Sequence, residues 1–252
     1  RNDLGVLGDG TYVSKNVPTQ IGVQNDWVSI STGYSHIMAI KQNGTLWAWG
    51  INMDGELGDG TAVSKNIPVQ IGTDMDWKNV SAGTNHTVAI KQNGTLWTWG
   101  RNNSGQLGDG TNTGTNVPLQ IGSDTDWLSV NAHFEFTTAI KQNGTLWAWG
   151  RNDKGQLGDG TNVDKNIPVQ IGVAADWKFI SAGQWFNVAL KQGGTLFAWG
   201  DNFQGQLGDN TNIAKNVPVY INTQNCWPLE INNISELDNV VSVYPNPVNI
   251  TL

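Results

Sequence analysis

Apolar and polar positions alternate in short runs along this chain, and the runs recur in a fixed order. Residues 86–92, HTVAIKQ, alternate with a period of two, the spacing of a half-buried strand. Residues 95–100, TLWTWG, follow after Asn93-Gly94, so the two runs predict a β-hairpin. Asn-Gly favours a type I′ turn, in which both central residues take positive φ. The fourth copy has Gly193-Gly194 there, which meets the same backbone need. Upstream, NIPVQIG (66–72) reads as an extended segment with Pro68 near its start, and WKNVSAG (77–83) as another strand. Each unit therefore reads as four strands, the proline strand first. In GTLWAWG (44–50), Leu46, Ala48 and Gly50 fall on one face and Trp47 and Trp49 on the other. Phe197 replaces the first tryptophan in the fourth copy, whereas Trp199 is kept. Trp49, Trp99, Trp149 and Trp199 are thus expected to be the buried set, filling equivalent positions between units.

The period is fifty residues. Gly-x-Leu-Gly-Asp stands at 5–9, 55–59, 105–109, 155–159 and 205–209, and the strand tryptophan at 27, 77, 127, 177 and 227. Such a period signals radial or linear stacking of units that bury each other's faces. Four strands per unit and no helix-period stretch predict an all-β chain, a β-propeller of four-stranded antiparallel blades. A β-solenoid is the alternative, although its coils are usually shorter. Four blades are expected to run from Pro18 to near Gly200, with a fifth starting at Asn216 and stopping after Trp227. The propeller is therefore expected to be incomplete, either open or closed in an unusual four- or five-blade form. The chain opens inside one motif and ends soon after another, and it reads as a fragment or processed piece.

Composition narrows the function. Of 252 residues, 14 are Lys or Arg and 21 are Asp or Glu, for a formal charge of −7. An acidic chain lacks the basic surface that phosphate backbones require, so nucleic acid is not expected as a partner. Cys226 is the single cysteine, so no intrachain disulfide and no cysteine metal cage can form. No apolar run reaches 18 residues, and membrane insertion is not expected.

Candidate chemistry is sparse. Asp9, Asp59, Asp109, Asp159 and Asp209 recur in Gly-Asp loops, but one carboxylate per fifty residues falls short of the six to eight oxygens of a calcium site. They read as turn-closing residues, bonding backbone through their side chains. His36 and His86 occupy a position filled elsewhere by Phe136 and Phe186, which marks a packing slot and not a metal ligand. No Ser/His/Asp set separates from the scaffold, and Glu56 and Glu135 are the carboxylates that look non-generic within the repeats. No catalytic, cofactor or metal site is assigned, and the chain is read as a non-enzyme.

One short stretch varies among the copies: Tyr34-Ser35, Thr84-Asn85, Phe134-Glu135 and Gln184-Trp185. It lies between two strands and is expected to be a loop on one rim. In the third copy NAHFEF (131–136) also places His133 where the others have glycine. Tyr34, His133, Phe134, Glu135, Gln184 and Trp185 are therefore the partner-binding candidates, because aromatics on a concave rim are typical anchors.

The segment SAGTNHTVAIKQNGTLWTWGRNNSGQLGDGT (81–111) resembles the repeat of the regulator of chromosome condensation family. It carries Ala-Gly-x-x-His-Thr, the Asn-Gly hairpin, Trp-Gly-x-Asn and Gly-Gln-Leu-Gly. The resemblance covers residues 1–227 and implies a propeller, typically of seven blades, with roles in protein recognition. The founding member is a nucleotide-exchange factor for a small nuclear GTPase, and a bacterial relative is a secreted inhibitor of β-lactamases. The tail LDNVVSVYPNPVNITL (237–252) is similar to the start of the C-terminal sorting domain of type IX secretion cargo in Bacteroidetes-type bacteria, on Val243-Tyr244-Pro245-Asn246-Pro247-Val248. The implied organisation is a propeller over 1–227, a linker over 228–239 and a truncated sorting-domain start over 240–252. The sequence thus reads as a secreted or cell-surface, non-catalytic propeller that binds a protein partner through rim loops. Carbohydrate binding, as a module or adhesin, is the alternative. Guanine-nucleotide exchange follows from the founding relative, and the sorting-like tail argues against it.

Overall fold

The computed structural model describes residues 1–221. The expected linker (228–239) and sorting-domain start (240–252) lie outside the described residues. Among the described residues, sixteen strands and no helix form four antiparallel sheets of four strands each. Blade 1 comprises β1 (Trp27–Thr32), β2 (His36–Lys41), β3 (Leu46–Gly50) and β4 (Lys65–Ile71), paired in that order. Blade 2 repeats this as β5 (Trp77–Ala82), β6 (His86–Lys91), β7 (Leu96–Gly100) and β8 (Thr115–Ile121). Blade 3 holds β9 (Trp127–Ala132) to β12 (Lys165–Gln170), and blade 4 holds β13 (Trp177–Ala182) to β16 (Lys215–Tyr220).

The phase of the unit differs from the sequence expectation. The proline strand is the last strand of a blade and not the first: Leu46 pairs with Ile71 and Ala48 with Val69. The four blades therefore end at the Pro218 strand, and that strand opens no fifth blade. Pro68 is tolerated because β4 is an outer edge strand, where a missing N–H breaks no ladder. Residues 16–22 of the first copy form no strand and are largely exposed.

The hairpin turn is a second correction. Gly44 has φ 80° whereas Asn43 does not have positive φ, so the turn is not type I′. Gly44 N–H donates to Lys41 O at 2.8 Å and Lys41 N–H to Thr45 O at 3.0 Å. This is a type I turn closed by a left-handed glycine, the three-residue hairpin loop. Only the second position must be glycine, which is why position 43 accepts Asn and its counterpart 193 accepts Gly. Asn43 Oδ1 also accepts from the Thr45 amide and hydroxyl.

A buried asparagine organises the long β3–β4 loop. Asn52 is fully enclosed; its Oδ1 accepts from Leu57 N–H, and its Nδ2 donates to Asp59 and to the Thr61 carbonyl. Asn102, Asn152 and Asn202 repeat the arrangement. The repeated aspartates close the turn as expected: Asp59 Oδ1 accepts from the amide and hydroxyl of Thr61.

Tryptophan fills the seams between blades. Trp49, Trp99, Trp149 and Trp199 are at most 3% exposed, and the preceding aromatics, Trp47, Trp97, Trp147 and Phe197, are only half-buried. Trp99, from blade 2, packs in one cluster with Met38, Ile40, Leu46 and Leu57 of blade 1. Its Nε1–H donates to Glu56 O at 2.9 Å. The Thr87 hydroxyl donates to the same carbonyl at 2.8 Å. Trp49 bonds Val6 O instead, because residues 5–9 repeat the Gly-x-Leu-Gly-Asp loop. The ring is open. Ile30 on the leading face of blade 1 is 57% exposed, whereas its counterparts Val80, Val130 and Ile180 are 6%, 4% and 1% exposed.

Candidate functional site

The β1–β2 loops and the long β3–β4 loops leave the same rim, since Gly50 pairs with His36 and Ile51 N–H donates to Ser35 O. Inner strands of adjacent blades are bonded there. Ala82 N–H donates to Ser31 Oγ at 3.0 Å, and Tyr34 N–H to Gly83 O at 3.2 Å. His36 Nε2 lies 3.0 Å from Thr87 Oγ1, and His86 Nε2 lies 3.0 Å from Thr137 Oγ1. Each threonine hydroxyl already donates to a carbonyl, Glu56 O or Gln106 O, so the imidazole must be the donor, protonated on Nε2. Both histidines are wholly buried, which pushes His36 down to about 4 and His86 to about 3. The expected packing slot is thus a packing slot with one specific bond. The sequence signal that could have found the bond is that each histidine is followed 51 residues later by threonine, Thr87 and Thr137, whereas Phe136 is followed by Asn187.

At the axial mouth of this rim, loops from all four blades converge on a groove of about 380 Å3. Four of the six candidates line it: Tyr34, His133, Phe134 and Gln184. Tyr34 is 82% exposed and Gln184 is also exposed, whereas His133 and Phe134 are half-buried. Burial pushes the His133 imidazole down to about 3. The other two candidates do not line the groove. Trp185 stacks edge-on against Phe134 with centroids 5.7 Å apart, and the Glu135 carboxylate accepts from Arg151 at 2.9 Å. The rest of the lining is small: Thr32, Gly33, Ala82, Gly83, Thr84, Ala132 and Gly183. Sequence reasoning placed Thr84 in the variable stretch and passed over the other six because they look like scaffold.

Outside the groove, one feature of the repeat escaped the sequence reading, and one carboxylate that the sequence singled out, Glu56, is deeply buried. On the opposite rim, Lys91 Nζ sits 4.9 Å from the Trp77 ring and 4.6 Å from Trp97, and it pairs with Asp74 and Asp76. Burial works against its charge, but the bonds to Asp74 and Asp76 outweigh it and hold the ammonium above its ordinary range. Glu56 is 1% exposed, and one of its oxygens accepts from Asp54 N–H at 2.8 Å. Its sister positions hold Gln106, Gln156 and Gln206. Burial raises the Glu56 carboxyl above its usual range, against the pull of the backbone N–H groups at 54 and 56. A raised carboxyl destabilises the fold once pH passes the unfolded value and climbs through the folded one. Glu56→Gln is therefore expected to stabilise the protein at pH 7 by about 1 kcal/mol and to leave it unchanged at pH 4. Urea midpoints at the two pH values check this.

Four-stranded blades set side by side around a loop-lined axial groove define a repeat β-propeller. Residues 1–243 match the RCC1-like domain, and the chain belongs to that family. Human WBSCR16 superposes with a TM-score of 0.76 at 22% identity, over 88% of this chain and 61% of its own. Yeast RCC1 (Prp20) bound to Kap60 gives the same score and identity over 84% of this chain and 52% of its own. A second Prp20p structure, from Saccharomyces cerevisiae and studied for its binding to Gsp1p and histones, gives 0.76 and 22% over 84% and 54%. The chain thus spans between half and three fifths of these structures, and at this identity the likeness is one of fold. No curated protein sequence matches it.

Proposed function

We propose that this chain is a non-catalytic recognition module that binds a protein partner through the axial groove, outside the cell or at its surface. The observation that carries the proposal is the convergence of the four variable loops on one groove, with Tyr34 held out into solvent and Phe134 backed by Trp185. Exposed and half-buried aromatics in a concave site are the usual anchors of a protein interface. Similar propellers are seen with protein partners, such as Kap60 on yeast RCC1. Secretion rests on the sequence of the tail, Val243 to Val248. A nucleotide-exchange role on a GTPase is disfavoured on the same ground.

Affinity capture from a secreted fraction with the intact protein tests the reading. Tyr34→Ala and Phe134→Ala are each expected to weaken partner binding about tenfold or more. Glu135→Ala, outside the groove, should change it by less than about threefold. Equal capture by all three variants would remove the groove from the interface. Carbohydrate binding is the second reading, favoured by the exposure of Tyr34, whose ring face is free to stack on a sugar. A glycan array separates the two.

A further inference from the structure

The junction between blades 3 and 4 is built differently from the two before it. At junctions 1/2 and 2/3 three hydrogen bonds cross the rim. An inner-strand amide bonds a serine: Ala82 to Ser31, and Ala132 to Ser81. A loop amide bonds the next loop's carbonyl: Tyr34 to Gly83, and Thr84 to His133. A histidine bonds a threonine: His36 to Thr87, and His86 to Thr137. Blade 3 changes the residue behind each. Asn131 replaces the serine, His133 the glycine and Phe136 the histidine. Among the described residues, none of the three bonds spans the junction to blade 4.

Steric reach explains the second loss. A Cβ on Gly83 would lie 2.5 Å from His133 O, so one loop can approach the next only where it carries glycine. His133 has that Cβ, and its loop cannot close onto Gly183 O. Three main-chain groups consequently lack the partners that their counterparts have: Phe134 N–H, Ala182 N–H and Gly183 C=O. Buried ring nitrogens without partners occur here, at His133 Nε2 and Trp185 Nε1, and at the sister junctions too, at His36 Nδ1 and His86 Nδ1, so the three main-chain groups are what sets this junction apart. His133, Phe134 and Gly183 line the groove. Main-chain groups of a native protein are satisfied by protein or by water, so three of them left open together on half-buried residues beside the groove mark a place where a ligand can supply the partners.

Resting on the reading of the groove as a protein-binding site, we propose that this junction is a slot for the main chain of an extended peptide segment. Its carbonyls accept from Phe134 and Ala182, its amide donates to Gly183, and a neighbouring apolar side chain packs on the Phe134–Trp185 pair. Unpaired N–H and C=O groups beside an aromatic pair match an amide backbone, as in strand addition. A sugar would call for side-chain amides or carboxylates, and Gln184 is the one such residue lining the groove.

The test uses the full chain and an array of end-blocked heptapeptides with Phe, Tyr, Leu or Val at the centre. A subset should bind, and binding should slow hydrogen exchange of the Phe134 and Ala182 amides by about tenfold or more. Asn131→Ser combined with His133→Gly restores the two sister-junction bonds that use the Ala182 and Phe134 amides, and this variant should lose about tenfold or more in affinity. N-methylation of the peptide's central amide should act likewise. No peptide binding, equal binding by the restored variant, or unchanged exchange at the two amides would overturn the slot. Should Tyr34→Ala abolish peptide binding while the restored variant keeps it, the groove reading survives and the slot fails.

Discussion

Trp99→Ala is expected to cost about 3–5 kcal/mol of stability, a large share of what an ordinary domain possesses. The indole is fully buried in the seam between blades 1 and 2, against Met38, Ile40, Leu46 and Trp77. Truncation leaves a cavity that two facing sheets cannot close. It also takes from Glu56 O one of its two donors, leaving Thr87 alone. Trp97, two residues earlier on the same strand, gives the contrast. It is half-buried, its Nε1–H donates to Thr95, and the fourth blade already holds phenylalanine at its position. Trp97→Phe should cost about 1 kcal/mol or less. Denaturant unfolding of the two variants measures the difference, and equal losses would show that the seam does not depend on the second tryptophan.

Acid is expected to weaken the protein well above the range in which carboxylates titrate. His36 and His86 are pushed down by burial to about 4 and about 3. Unfolded histidine takes its proton near pH 6.5. Below that value the unfolded chain binds protons that the folded chain refuses. The stabilising contribution is therefore complete above about pH 7 and is lost as pH falls from about 6.5 through the depressed folded values. Each unit of separation is worth about 1.4 kcal/mol, so by pH 4.5 the two sites together remove several kcal/mol. Asp9, Asp59, Asp159 and Asp209 sit below their ordinary values and add a loss of the same sign at lower pH. His86→Phe isolates the His86 share, since His36 and His133 remain. Phe136 already fills the equivalent slot without exposure, and Thr137 keeps its bond to Gln106 O. Stability of the variant should fall less steeply between pH 6.5 and 4.5, and an unchanged slope would refute the assignment.

Much of the architecture was legible in the chain because fifty-residue repetition and period-two alternation are local signals. The buried tryptophans were legible for the same reason, once Phe197 showed which of each pair tolerates exchange. The phase of the blade was not. A tandem repeat has no intrinsic start, and the proline strand is joined by chain to both neighbours. Only the pairing of Leu46 with Ile71 decides between them. The turn type failed because Asn-Gly suits two loop geometries, and the pairing of Lys41 with Thr45 selects the three-residue one. At the rim, divergence among copies pointed to Tyr34, His133, Phe134 and Gln184. It did not place Glu135 against Arg151 or Trp185 behind Phe134, since those contacts depend on side-chain direction. The effect of His133 was hidden as well, because a glycine-to-histidine change matters only when the facing carbonyl is known.

Near-identical repeats also pose a problem of assembly. KQNGTLWAWG occurs twice in the chain, and two further copies differ by one and two residues. A β3 strand offered the proline strand of another blade would find the same cross-strand partners: Trp47 meets Gln70, Trp97 meets Gln120, and Trp147 meets Gln170. Pairing energy therefore does not distinguish the right blade from the wrong one, and whole-blade misregister is the characteristic hazard of such chains. What differs is the length of chain that must be ordered. The Asn52 side chain gathers residues 57–61 into a closed loop and returns the chain beside β3, and Asn102, Asn152 and Asn202 do so in the other blades. Closure of a short, prearranged loop outruns any search across fifty or a hundred residues. The buried asparagine thus selects the correct strand by speed, where the sequences of the strands themselves cannot.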